Sequence, residues 1–364
     1  MAVTKNDIWL VLGVGMGGKG LLAELGAQGI RIRAYDKDDK QVAGIRAAKG
    51  LHIDGRPKNF APVEMATTDI KSAMDGVKVI CISTNGDDHP QVARDLAPYL
   101  KDGQILVLIQ GHFCGTLVFR KALDEAGCKA KVDVCEMDGY PYMMVVRSPD
   151  RVEITTTKAM YRLVTVPVSR SKAIVDEIGW AFPGLVPGED LMATGFSDLG
   201  SVFHAVGVVT NIATSENGKP YHFYVNNMSP GVCNVIEAVD CERVAVAKAY
   251  GVEVPNVIDW LAITYNRRER SLHWSMQANA VTHYLHSPAP DSLRHRFLVT
   301  DIAAGLVAWA TLGKLAGVPT PHIDSMVHTA SAATKRDFWK EGRNLENLGL
   351  AGKSVAEIVR YVKS

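Results

Sequence analysis

Ile8-Trp9-Leu10-Val11-Leu12-Gly13-Val14-Gly15-Met16-Gly17-Gly18 is the stretch on which the reading of this chain turns. Five apolar residues in a row suit a strand buried on both faces of a parallel sheet, and Gly13-x-Gly15-x-x-Gly18 suits a tight turn opening a helix. The first glycine lets the chain turn, the second admits a pyrophosphate against bare backbone, and the third lets helix meet strand. Met16 and Gly17 fall at the helix N-terminus, where unpaired amides and the dipole attract phosphate oxygens. A second strand, Ile30 to Tyr35, ends at Asp36, about 20 residues beyond the loop, where a carboxylate accepts from ribose hydroxyls. The acid repels a 2′-phosphate and favours NAD, while Lys37 and Lys40 leave NADP open.

The same texture runs outward through the first half. Val77 to Ser83, Ile105 to Gln110 and Val132 to Cys135 are strand candidates, separated by amphipathic stretches such as Gly18 to Gly29 and His89 to Leu100. Strands alternating with helices predict a parallel sheet with crossover connections. Val152 to Thr156 and Leu163 to Val168 are expected to extend that sheet, and Ser171 to Phe182 to be its last helix. Ser83, Thr84 and Gln110 sit just past strands, at the carboxyl ends where such sheets bind ligands.

Beyond about residue 190 the pattern becomes helical, with apolar residues at three- and four-residue intervals over Asp198 to Thr214, Cys233 to Tyr250, Val257 to Tyr265, Thr300 to Ala316 and Pro321 to Ala333. The predicted fold is therefore an α/β Rossmann-type N-terminal domain over residues 1–190 and a mostly α-helical substrate domain over 191–364. A length of 364 residues fits two domains at roughly 150 residues each.

Forty Lys and Arg against 39 Asp and Glu leave a formal charge of +1, which gives no field to gather nucleic acid or an anionic membrane. The expected partners are small molecules. No apolar run approaches the 18 residues of a membrane span, and the N-terminus reads straight into a strand rather than a signal peptide. Six scattered cysteines without a CxxC pair fit a reducing cytoplasm, with Cys233 and Cys241 read as small core residues. His283 and His286 lie three apart, but no cysteine or carboxylate completes a ligand set, so no metal is expected. The sequence leaves a homodimer open.

His204 is the candidate for chemistry. On a helix it shares a face with Gly200, Gly207 and Asn211, and those glycines would let a bulky ligand approach. Asp301, preceded by Thr300 as a helix cap, either complements the helix dipole in the first turn or orients the imidazole of His204.

At these residues the chain resembles the octopine/nopaline (opine) dehydrogenase family, and is similar to its bacterial N-(1-carboxyethyl)norvaline dehydrogenase type. The resemblance covers nearly the whole length. It rests on the glycine loop, the His204 to Asn211 helix, Val239-Asp240-Cys241-Glu242-Arg243-Val244-Ala245-Val246-Ala247-Lys248-Ala249, Arg296 to Leu306, Gly317-Val318-Pro319-Thr320-Pro321 and Glu341 to Leu350. It implies that His204 and Asp301 are the catalytic pair and that Arg296 approaches a substrate carboxylate. Asn211, on the face of His204, Gln110, past its strand, and Glu136 are further substrate-binding candidates read from the chain itself. The implied reaction is the NADH-dependent reductive condensation of an amino acid with an α-keto acid, commonly pyruvate. The segment Glu136-Met137-Asp138-Gly139-Tyr140-Pro141-Tyr142 departs from the family, and its tyrosines could line a side-chain pocket or shield the domain junction. The alternative is a two-domain hydroxyacid dehydrogenase resembling ketopantoate reductase, whose usual lysine and asparagine are replaced here by His204 and Asn211. A module that senses NAD(H) without turnover is the third reading.

Overall fold

The structure is a computed structural model that describes residues 3–55, 59–217, 219–265, 267–279 and 289–363. His283 and His286 lie outside the described residues. The chain divides into two compact units, Met1–Leu191 with Lys363–Ser364, and Met192–Val362.

The first unit is built on an eight-stranded sheet. Its strands are β1 (Ile8–Leu12), β2 (Arg31–Tyr35), β5 (Met65–Thr67), β6 (Val77–Ile82), β7 (Ile105–Leu108), β8 (Asp133–Met137), β11 (Tyr161–Thr165) and β12 (Leu185–Pro187), in the order β12-β11-β8-β7-β6-β1-β2-β5. All neighbouring pairs are parallel except β11 against β8. Alternate residues of β1 feed two cores: Trp9 and Val11 pack on one face, Leu10 and Leu12 on the other. That two-sided burial is why the strand carries no polar residue. From β1 the chain runs outward to β2 and β5, then returns to β6 on the opposite side of β1. The loops after β1 and β6 therefore face each other at a topological switch point.

Val152 to Thr156 does not extend this sheet. It forms β10 (Arg151–Thr157) of a separate four-stranded sheet, in the order β4-β3-β10-β9, with β3 (Gly50–Asp54), β4 (Phe60–Pro62) and β9 (Tyr142–Ser148). Alternation predicted the strand, but only pairing with Tyr142–Ser148 decides which sheet it joins.

The second unit is helical, with long helices over Pro230–Ala249, Arg296–Ala316 and Pro321–Thr334. The second of these corrects the expectation about apolar runs: its 21 residues are long and apolar enough to cross a membrane. Within this chain it is a core helix, 83% buried over its most apolar window. It also begins earlier than expected, at Arg296, with the His295 side chain accepting from Phe297 N. Asp301 is thus six residues into the helix rather than in its first turn, and has no N-terminal dipole to complement.

Segments that carry the family resemblance tie this unit together. Arg243 is fully buried, donating to Asp240 and to the carbonyls of Phe196 and Pro255, while Asp240 also accepts from Val257 N. Glu242 accepts from the amides of His322 and Ile323 at the start of the Pro321–Thr334 helix. Cys233 is a core residue whose thiol burial pushes up to about 12, but Cys241 is exposed, which corrects its reading as a core residue. It shares its helix with those buried charges yet points to the outer face.

Candidate active site

In the first unit the glycine loop is fastened from both sides. Gly13 N donates to Tyr35 O at 2.9 Å, and Val14 N donates to Asp36 Oδ2 at 2.7 Å, so the acid at the end of β2 holds the turn after β1. Each carboxylate oxygen keeps a second lone pair for a ribose hydroxyl. Gly13 has φ +86°, and a Cβ there would strike Ser83 O and Thr84 Cγ2 across the switch point. A Cβ on Gly18 would collide with Gly13 O, and one on Gly17 with the ring of Tyr140. Nothing lies within 4 Å of where a Cβ of Gly15 would be, so bare backbone faces open space. The Met16–Ala27 helix starts there without a side-chain cap. Thr84 Oγ1 is buried with no hydrogen-bond partner among the described residues, an acceptor and donor waiting for a polar atom. These features fit a dinucleotide pyrophosphate. Tyr140 donates or accepts at Ser83 Oγ, 2.9 Å away in the loop after β6, and its ring lies against Gly17 of the glycine loop, while Tyr142 is buried in the core.

In the second unit, His204 lies in a π-helical turn, Ser201–Ala205, and Asp301 immediately precedes another, Ile302–Leu306. Such turns widen a helix and re-aim side chains, and are frequent at functional sites. Across a separation of 97 residues, His204 Nδ1 meets Asp301 Oδ2 at 2.8 Å. Asp301 is 1% exposed and His204 9%. The carboxylate accepts the Nδ1 proton, so Nε2 is the nitrogen left for chemistry. Nε2 meets the hydroxyl of Tyr224 at 2.5 Å. Phe297 stacks on the imidazole, with centroids 3.7 Å apart and planes 6° from parallel.

Arg296 is half-buried, its guanidinium carbon 4.9 Å from the centre of the Phe297 ring. It has no carboxylate partner among the described residues. Beside it, burial, with Arg296 and His204 adding to it, holds His295 down at about 4.

The glycines near His204 do not open a ligand path. A Cβ on Gly207 would strike Phe223, and one on Gly200 would crowd Asp198, His204 and Asp301. They permit close packing around the imidazole instead. Asn211 donates to Gly207 O at 2.9 Å and to Asn227 O, which bridges two segments of its own unit. Glu136 is fully buried in β8 and accepts from Thr116 N at the start of the Gly115–Glu125 helix. Gln110 is half-buried two residues past β7. Tyr224 and Phe297 were not singled out from sequence. Phe297 had a signal, adjacency to Arg296, whereas Tyr224 belongs to a four-residue helix with no periodicity to mark it.

The family model described as NAD/NADP octopine/nopaline dehydrogenase, alpha-helical domain, matches residues 187–334. The opine dehydrogenase of Arthrobacter sp. (strain 1C) is 30% identical over 97% of this chain and 98% of its own length. The chain belongs to the octopine/nopaline dehydrogenase family. It is an NAD(P)-dependent oxidoreductase acting on CH–NH groups. The fold of the family is plain in an octopine dehydrogenase structure with NADH and L-arginine, which superposes with a TM-score of 0.73 at 18% identity over 97% of this chain and 98% of that one. A PanE/ApbA family ketopantoate reductase from Ralstonia eutropha JMP134 has a TM-score of 0.63 at 17% identity over 92% and 99% of the two chains, so it shares the fold.

Proposed function

We propose that this family member joins the amine of an amino acid to the keto carbon of an α-keto acid such as pyruvate, giving an N-(carboxyalkyl)amino acid, with NADH as reductant. The observation that carries the reading is the buried His204–Asp301 pair, with Asp301 on the same helix as Arg296, an arginine without a carboxylate partner among the described residues.

Each residue has a task in that chemistry. Arg296 clamps a substrate carboxylate, for which its planar fork is suited, and the start of its helix adds a favourable field. Asp301 holds Nδ1 of His204 and so fixes the tautomer of the ring. As the amine adds to the keto carbon and the oxygen departs as water, His204 gives up the proton that the leaving oxygen needs, and a C=N bond remains. The dinucleotide, when bound, supplies the hydride that reduces that bond. Gly13, Gly15, Met16, Gly17 and Gly18 would hold its pyrophosphate, Asp36 its ribose, and Ser83 and Thr84 the opposite rim of the loop, with NAD preferred over NADP. Asn211 and Glu136 have structural hydrogen bonds of their own, so any effect on substrate passes through the segments they hold. Domain boundaries at 190/191, a cytoplasmic setting and a homodimer complete the proposal.

NADH oxidation is expected to require an amino acid and a keto acid together, followed spectrophotometrically with the product identified by mass. Oxidation with the keto acid alone would favour the hydroxyacid dehydrogenase reading, and tight NADH binding without turnover across the panel would favour a sensor. His204→Ala should lower kcat by about 10²–10⁴-fold while NADH affinity stays within twofold. An unchanged kcat would remove the role given to His204.

A further inference from the structure

Neither ring nitrogen of His204 is left open by its own unit. Asp301 occupies Nδ1, the Tyr224 hydroxyl occupies Nε2, and Phe297 covers one face of a ring that is 9% exposed. A proton exchanged with substrate therefore has a gatekeeper. Tyr224 is itself almost buried, at 8% exposure, and burial pushes its hydroxyl well above the usual tyrosine range, with Arg296 opposing. The phenol stays protonated throughout the working range.

A hydroxyl has one donor and two acceptor positions. With a neutral imidazole the Tyr224 O–H donates to Nε2. With the cation, Nε2–H donates to the Tyr224 oxygen, and the hydroxyl hydrogen turns to another acceptor. The two protonation states of His204 thus differ by one rotation of a hydroxyl hydrogen, and no heavy atom has to move. That is the requirement for passing a proton through a group that ends unchanged.

We propose that Tyr224 is a catalytic residue of this site, relaying the proton between Nε2 of His204 and the substrate. The proposal rests on His204 being the proton-exchanging residue. As the substrate oxygen leaves, the N–H bond at Nε2 breaks and an O–H bond forms at Tyr224. The hydroxyl's original O–H bond breaks, and its proton goes to the departing oxygen, which leaves as water. His204 ends neutral, Tyr224 ends as it began, and no oxidation or reduction is involved. The Phe297 stack keeps the ring in the plane that this transfer needs.

Tyr224→Phe removes the hydroxyl and keeps the ring. With NADH and both substrates, kcat is expected to fall about 100-fold while both KM values and NADH affinity stay within twofold. The downfield Nδ1–H proton resonance of the His204–Asp301 pair should persist, since a relay adds nothing to that bond. A kcat near that of the unaltered enzyme overturns the relay, and so does a loss of kcat accompanied by loss of that resonance, which would make Tyr224 a structural prop. If the variant does not fold, the proton inventory of the unaltered enzyme decides. A curved dependence of rate on D2O fraction supports two protons in flight, and a linear one sinks the proposal. An inactive His204→Ala beside an active Tyr224→Phe leaves the opine reading standing without the relay. An active His204→Ala removes the role of His204 and the relay with it, whereas the opine reading falls only if NADH oxidation does not require both substrates.

Discussion

A buried carboxylate can assist an imidazole through its charge or through the tautomer it selects, and Asp301 is placed to do both. Asp301→Asn separates these effects, because the amide keeps the shape while losing the charge and can present an N–H to Nδ1. The expected outcome is a kcat lowered by about 10³–10⁴-fold with NADH affinity unchanged, measured by steady-state kinetics and fluorescence titration. Retention of most of kcat would mean that the carboxylate only holds the two helices together. Arg296 shows a different economy: it lies along Phe297 with no ion-pair partner among the described residues, which is a costly way to use a half-buried guanidinium unless a ligand supplies the anion. Asp36 fastens the turn with both of its oxygens, which accept from Val14 N and Asp38 N, and the proposed ribose contact would use their remaining lone pairs.

At the scale of elements, the two π-helical turns are the decisive local structure. Ser201–Ala205 and Ile302–Leu306 pack against each other so closely that a Cβ on Gly305 would collide with Ser201 Oγ and Cβ. Gly305→Ala forces these helices apart or off their rotamers, and is expected to destabilise the chain by about 1–3 kcal/mol in urea unfolding while lowering kcat more than NADH affinity. An unaltered midpoint and kcat would show that the two turns have slack between them. Little of this was legible beforehand. Helical periodicity identifies Asp198 to Thr214 as helical, but it has no signature for a widened turn, and Gly207 and Gly200 face Phe223 and Asp301 rather than a ligand. The strand–glycine–helix element was readable in full because its turn chemistry is local: φ at Gly13 and the contact of Gly18 with the Gly13 carbonyl are set within six residues.

For the molecule as a whole, the segments that carry the family resemblance act as fasteners of the helical unit. Asp240 and Arg243 lie on one face of the Pro230–Ala249 helix and reach Phe196 before it and the Pro255–Val257 segment after it. Asp240→Ala leaves a fully buried guanidinium uncompensated and is expected to cost about 3–5 kcal/mol, read as a lowered midpoint in chemical denaturation. A midpoint unchanged by the substitution would show that the carbonyls of Phe196 and Pro255 satisfy Arg243 on their own.

The sequence by itself determined the parallel sheet, the dinucleotide loop with its acid, the change to helices near residue 190 and the candidacy of His204 and Asp301, while Arg296 came from the family resemblance. These rest on side-chain periodicity, glycine backbone freedom and residue chemistry, all encoded over short spans. Tertiary structure alone decided that residues 97 apart would meet at 2.8 Å, that Tyr224 would take the second nitrogen and Phe297 the ring face, and that β10 would join a second sheet. Those contacts depend on how whole helices and strands pack, and packing is a property of distant surfaces that no local pattern specifies.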